Sequence, residues 1–295
     1  MNLKRSLPVF LLLLMFQLTF AQEYPVQITD EGYIIVEVKL ADSIKANFIL
    51  DTGAGAIVLS GKSFEKIKDK AESSGYFTGF RNDGDRVDGE IYRIPSLAIG
   101  DVIQKDVLIG IYPPLDDYGV DGLVSLKFFE DKPFTIDFKN KKIRFIKNGD
   151  DKYGDNKFTA LPITIHTNMD FSLDMFIRVC LNGGVSVNAE FDTGSGYNTL
   201  LVNPYFIKKL GLDQTEITSR KYTTPISGNE LNEYVYTSNS VNVCSEINST
   251  HGKTFSQIPV VFREGLIYEA LIGSFLFKDG SITIDIPGRR IIIEN

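Results

Sequence analysis

The chain has no tryptophan, two cysteines, two histidines and four methionines in 295 residues. Cys180 and Cys244 are the only thiols, and neither Cys-x-x-Cys nor His-Glu-x-x-His occurs, so no recognisable zinc site is present. Gly-x-Ser-x-Gly is missing too, and His166 and His251 have no recognisable partners, which disfavours a serine hydrolase. Both histidines read as surface or loop residues. Positive charge is in short supply: 31 Lys and Arg face 38 Asp and Glu, a net charge of −7. An anionic surface argues against nucleic acid or an anionic membrane as partner. Long apolar runs are absent except for Leu7 to Phe20, which Gln17 and Thr19 interrupt. It falls short of the roughly 20 residues that a membrane span needs.

That run follows Lys4 and Arg5, and Thr19 and Ala21 stand at −3 and −1 of a cut before Gln22. Residues 1–21 therefore read as an export signal, and a retained anchor is the weaker alternative because of the length. No cysteine stands at the cut to carry a lipid. The expected product is exported, periplasmic or secreted, with no stable membrane insertion. Losing two bases and no acid takes its charge from −7 to −9. Residues 22 to 295 suffice for one large domain or two lobes. Export permits a Cys180–Cys244 disulfide, but Cys180 lies in an apolar strand-like run where free cysteine is also common. Both readings stay open.

Most of the chain has β character. "GYIIVEVKL" (32–40), "KANFIL" (45–50), "FTIDF" (134–138) and "KIRFI" (142–146) are apolar or alternating, with turn residues between them. Helical patterning is confined to 61–75 and 203–212, the second with Asn203 as cap, Pro204 in the first turn and Gly211 as stop. The second half repeats the first. "YIIVEVKLADSIKANFILDTGAG" has its counterpart in "MFIRVCLNGGVSVNAEFDTGSG", and "LVSLKFFEDKPFTIDFKNKKIRF" (123–145) aligns without a gap on "LIGSFLFKDGSITIDIPGRRIII" (271–293). The polar stretch 147–157 is placed as a linker between the repeats. The expected organisation is an N-terminal lobe at 22–150 and a C-terminal lobe at 151–295.

Each repeat carries a hydrophobic strand ending in Asp-Thr-Gly: Asp51-Thr52-Gly53-Ala54 and Asp192-Thr193-Gly194-Ser195. One such triplet is an ordinary turn, its Asp bonded to local backbone. Two at equivalent places in a duplicated fold are different. A pseudo-twofold axis brings them together, and two close carboxylates cannot both ionise. The pair shares a proton, giving an acid beside a base that can activate water and protonate a carbonyl. The glycines after each Asp also start like a dinucleotide fingerprint. Val58 and Thr199 stand where its third glycine belongs, and strand-like residues follow instead of a helix.

On these residues, and on "LIG" at Leu271 to Gly273, the chain resembles the aspartic proteases, more closely the bacterial retropepsin-like ones than the larger pepsins. The resemblance spans nearly all of residues 22–295. It implies an all-β fold of two homologous barrel-like lobes related by a pseudo-twofold axis, acting as an endopeptidase on extended peptide or protein substrates. It implies that Asp51 and Asp192 hold the nucleophilic water, that Thr52 and Thr193 bond across the lobe interface, and that Gly53 and Gly194 offer backbone carbonyls to the substrate. Ser195 has a hydroxyl within reach of its Asp, whereas Ala54 has none. No cofactor or metal is implied. Since one chain carries both motifs, a monomer suffices. The pattern is broken at Leu123 to Ser125, where Ser125 replaces the expected Gly. Residues 75–94 and 222–236 read as flap hairpins with Gly-containing tips, Tyr76, Phe77 and Phe80 being possible substrate contacts. "NDGDRVDGE" fails calcium-loop spacing and reads as a solvated acidic turn. Asn248-Ser249-Thr250 matches a glycosylation acceptor. The rival reading is a peptide-binding protein of the same fold without turnover.

Overall fold

The computed structural model describes residues 22–146, 157–197, 200–213, 215–245 and 252–294. The export signal, most of the linker with the 150/151 boundary, the glycosylation acceptor and His251 lie outside them. Strands dominate, and their burial follows the period of two that an extended chain imposes. In Ile34–Leu40 the alternate residues Ile34, Val36, Val38 and Leu40 are buried, while Glu37 and Lys39 face water.

Eight strands form one sheet, in the order 27–28, 34–40, 44–50, 122–124, 58–59, 102–111, 86–99 and 72–80. A second sheet of thirteen strands holds the corresponding strands of the second repeat. It continues at one end through 158–168, 290–294, 281–285, 134–137, 142–145 and 22–25. First-repeat strands thus join second-repeat strands in a shared base. At its centre Phe134–Asp137 pairs antiparallel with Ser281–Asp285, placing Thr135 opposite Thr283. Their hydroxyls hydrogen-bond at 2.7 Å. The two Thr-Ile-Asp triplets that align in the sequence therefore meet each other across the pseudo-twofold axis. Phe129 stacks on Phe134 at 3.8 Å between ring centroids, filling the space above this base with apolar surface.

Two local expectations change. Of 61–75, only Gly61–Glu65 is α-helical, capped by the Ser60 hydroxyl that accepts from the Ser63 amide. A 3₁₀ turn follows at Lys68–Lys70, and Glu72–Phe80 is strand. The charged, helix-compatible residues there are overruled by pairing with 86–93, a tertiary gain that local propensity does not contain. The second helix spans Tyr205–Lys209, with Asn203 Oδ1 accepting from the Tyr205 amide and Gly211 ending it at φ +69°. Cys180 and Cys244 are disulfide-bonded, joining adjacent strands of the second lobe with Cα atoms 6.6 Å apart.

Candidate active site

Strand Ile44–Leu50 runs parallel to Gly122–Val124, and Val185–Phe191 runs parallel to Ala270–Ile272. Each motif begins where its strand ends. The Asp51 amide donates to the Val124 carbonyl at 3.0 Å, and the Asp192 amide to Ile272 at 2.9 Å. The segments "LVS" and "LIG" thus anchor the two aspartates in the same way.

The threonines bind the lobes to each other. The Thr52 amide donates to Thr193 Oγ1 at 3.1 Å, and the Thr193 amide to Thr52 Oγ1 at 3.0 Å. Each hydroxyl then donates across the interface, Thr52 to the Phe191 carbonyl at 2.5 Å and Thr193 to Leu50 at 2.7 Å. Both threonines are fully buried, so these four bonds have no water to compete with them.

This grip sets the carboxyls of Asp51 and Asp192 side by side, hydrogen-bonded to each other. Burial raises the pKa of both, most strongly for Asp192, where the charge of Asp51 adds to it. Asp51 Oδ1 accepts the Gly53 and Ala54 amides at 3.0 and 2.9 Å, and the Arg81 guanidinium favours its charged form. Two carboxyls held this close cannot both ionise, so the pair shares one proton. The glycines are required by contact. A Cβ on Gly53 would stand 2.5 Å from Asp192 Cγ, and one on Gly194 would stand 2.3 Å from Asp51 Cγ.

Ser195 acts differently from expectation. Its amide bonds Asp192 Oδ1 at 3.1 Å, but its hydroxyl donates to the Asp192 backbone carbonyl at 2.9 Å, so it supports the turn and not the carboxylate. Ser125, in the place of the expected glycine, is fully buried and accepts from the Lys127 amide. In the second lobe a Cβ at Gly273 would stand 2.5 Å from the Gly196 carbonyl oxygen and 2.9 Å from Ser195 Oγ. The first lobe has Ala54 in the place of Ser195, which removes the second of these obstructions.

The two hairpins meet above the site. Asp85 Oδ2 accepts the Ile226 and Ser227 amides at 3.0 Å each, and Asp85 Oδ1 accepts the Ser227 hydroxyl. The Tyr222 hydroxyl donates to Asp83 Oδ2 at 2.9 Å, and the Ile267 amide to the Asn82 carbonyl. Asp83 and Asp85 are buried, so the acidic turn is not solvated: the other lobe's hairpin provides its donors. Tyr76 and Phe80 point outward, 81% and 58% exposed, whereas Phe77 packs 5.5 Å from Phe171 of the second lobe.

Sequence reading missed Arg81, Asp174, Glu190 and Tyr268, which surround the dyad or reach it electrostatically. Only Glu190 left a signal: an acid two residues before Asp192, where the first repeat has Ile49. Among the described residues no three His, Cys, Asp or Glu converge as metal ligands, and no helix is long and apolar enough to cross a membrane.

Residues 36–128 match the family model described as aspartyl protease. No curated protein sequence matches the chain. Among solved structures it is similar to basic 7S globulin from soybean, at 10% identity and TM-score 0.56, covering 92% of this chain and 94% of that one. It is also similar to the aspartic proteinase from Irpex lacteus, at 12% identity and TM-score 0.52, covering 94% and 97%. A retropepsin-like aspartic protease from Rickettsia conorii matches 43% of this chain and 92% of its own, at 19% identity and TM-score 0.33. The first lobe thus matches the aspartyl protease family model, and the whole chain has a fold similar to that of an aspartic proteinase and of a soybean globulin.

Proposed function

We propose that the protein is an aspartic endopeptidase that works as a monomer after export. The carrying observation is the adjoining pair of carboxyls at Asp51 and Asp192, the first half-buried and the second buried. With one proton on the pair, the ionised carboxyl takes a proton from water as that water attacks the scissile carbonyl carbon, and the protonated carboxyl gives its proton to the carbonyl oxygen. The resulting diol collapses as the first carboxyl passes the water's proton to the amine nitrogen, a diol hydroxyl returns a proton to the second, and the C–N bond breaks. An extended peptide is placed between the dyad and the hairpins, and one chain supplies both aspartates. The disulfide agrees with an oxidising compartment.

One similar structure is named a globulin and not a proteinase, so the fold by itself does not imply turnover. Asn at Asp51 or Asp192 keeps size and hydrogen bonding but cannot exchange the proton. Each single variant is expected to lose at least about 10²-fold in kcat with the fold intact, and the double variant to be scarcely worse. Raised values at both carboxyls place the bell-shaped pH profile above that of isolated carboxylates, with activity lost at the alkaline side as the pair gives up its shared proton. Near-normal cleavage by the Asp192→Asn variant would reject this mechanism. Peptide binding without cleavage by the parent protein would favour the binding-protein reading.

A further inference from the structure

Strand alternation puts Glu190 on the same face as Asp192, while Ala189 and Phe191 turn into the core and are fully buried. Glu190 is itself 2% exposed, and its Oε1 has no hydrogen-bond partner. Buried carboxyl oxygens are seldom left so, because an unmade bond is costly there. The Tyr268 hydroxyl bonds the same carboxyl, and the Tyr268 ring packs edge-on to Phe176 at 5.6 Å. Asp174 comes from the neighbouring strand: its Oδ1 stands 2.7 Å from where a Cβ on Gly55 would be, against the first lobe's motif. A glycine at 55 is what lets this acid approach the cleft.

The charges facing Glu190 are Asp192, Asp174 and Asp51, all negative. His166 faces Asp174 and is the one opposing group acting on it. Burial first and then these charges push the Glu190 carboxyl up to about 9. At neutral pH the Glu190 carboxyl therefore holds a proton. The duplicated fold supplies a comparison within the same molecule. The aligned position in the first lobe, two residues before Asp51, is Ile49. One side of the dyad is therefore lined by an apolar side chain and the other by an acid with a free oxygen.

We propose that Glu190, with Asp174 and Tyr268, forms a subsite on the Asp192 side of the dyad that takes a lysine or arginine side chain of the bound peptide. This rests on the peptide cleft inferred above. A cation reaching Oε1 replaces the proton, which passes to the buffer, and it completes the missing bond while meeting three further carboxyl groups. A neutral side chain does neither. Glu190 acts here in specificity, not in the chemical step.

The test uses statine-centred peptides carrying lysine or norleucine at each position flanking the statine in turn, titrated calorimetrically into the full-length exported protein. Lysine should be preferred at one flank only, by about 10- to 100-fold, the size of a hydrogen bond to a charged group. Glu190→Gln, of the same shape, should reduce that ratio to within a few-fold of one. Needing no variant, titration at pH 7 in buffers of different ionisation enthalpy should show proton release with the lysine peptide and none with norleucine. Equal binding of the two peptides at every position would overturn the proposal. So would a ratio unchanged in Glu190→Gln, equal proton release, or failure of the lysine peptide to bind. Lysine-selective binding without cleavage would sink the protease reading alone, and cleavage without lysine selectivity would sink this inference alone.

Discussion

At the scale of single residues, the threonines carry the site. Thr52 and Thr193 each donate and accept across the interface with no water present. Replacing either by valine keeps the shape and leaves a buried amide and a buried carbonyl unpaired. A loss of about 1–3 kcal/mol is expected for each. Because the two form one cycle, the double variant should cost less than the sum of the singles. Urea denaturation of the four proteins measures this; strict additivity would show that the bonds act independently. Gly194 admits no substitute for a different reason. Its missing Cβ is the space that Asp51 occupies, so Gly194→Ala must push the carboxyls apart or fail to fold.

At the scale of elements, the two hairpins are joined at their tips by one carboxylate. Three donors converge on Asp85: the Ser227 hydroxyl and the Ser227 and Ile226 amides. They hold its carboxyl below the usual carboxylate range, Ser227 first among them. The sign follows directly. A lowered value means the latched form is favoured by the charged carboxylate, so the latch is whole above the ordinary carboxylate range and is lost as pH falls through the lowered value. The chain has no tryptophan, so an Ile226→Trp variant reports on the tip without background. Its emission should change in one step in acid, and adding Asp85→Asn should give the acid signal already at pH 7. An Ile226→Trp signal that stays flat through this range would show that Asp85 does not govern the latch. Hydrogen exchange at 75–94 and 222–236 should also slow when a peptidic transition-state analogue binds, since the hairpins then close on a substrate mimic.

Across the whole molecule, the first lobe has no disulfide and the second has one, between residues 64 apart in sequence. In the chain-entropy account, a loop of that size contributes about 4 kcal/mol. Reduction should therefore lower the second lobe's stability and leave the first lobe's own sheet less affected. Exchange measured with and without reductant should separate 172–245 from 34–124. Equal loss in both would mean that the shared base, where first-repeat strands 22–25, 134–137 and 142–145 lie in the second lobe's sheet, couples the lobes into one unfolding unit.

Duplication, strand periodicity and the doubled Asp-Thr-Gly were sufficient to infer the β class, the symmetry and the pairing of Asp51 with Asp192. These are properties of local pattern and of repetition, and both are written along the chain. The helix expected over 61–75 failed beyond Glu65, because pairing with a distant strand decides there and not propensity. The acidic turn at Asp83 and Asp85 looked solvated because its partners, Tyr222, Ile226 and Ser227, are about 140 positions away. Separation along the chain also hid the bridging of the two cysteines, 64 positions apart, and the approach of Asp51 to Glu190. Sequence determined which groups the protein possesses and that they come in equivalent pairs. Only the tertiary structure decided which of them share a proton, which are sealed from water and which remain unpaired, because burial and the field of neighbouring charges exist only after the two lobes have closed on each other.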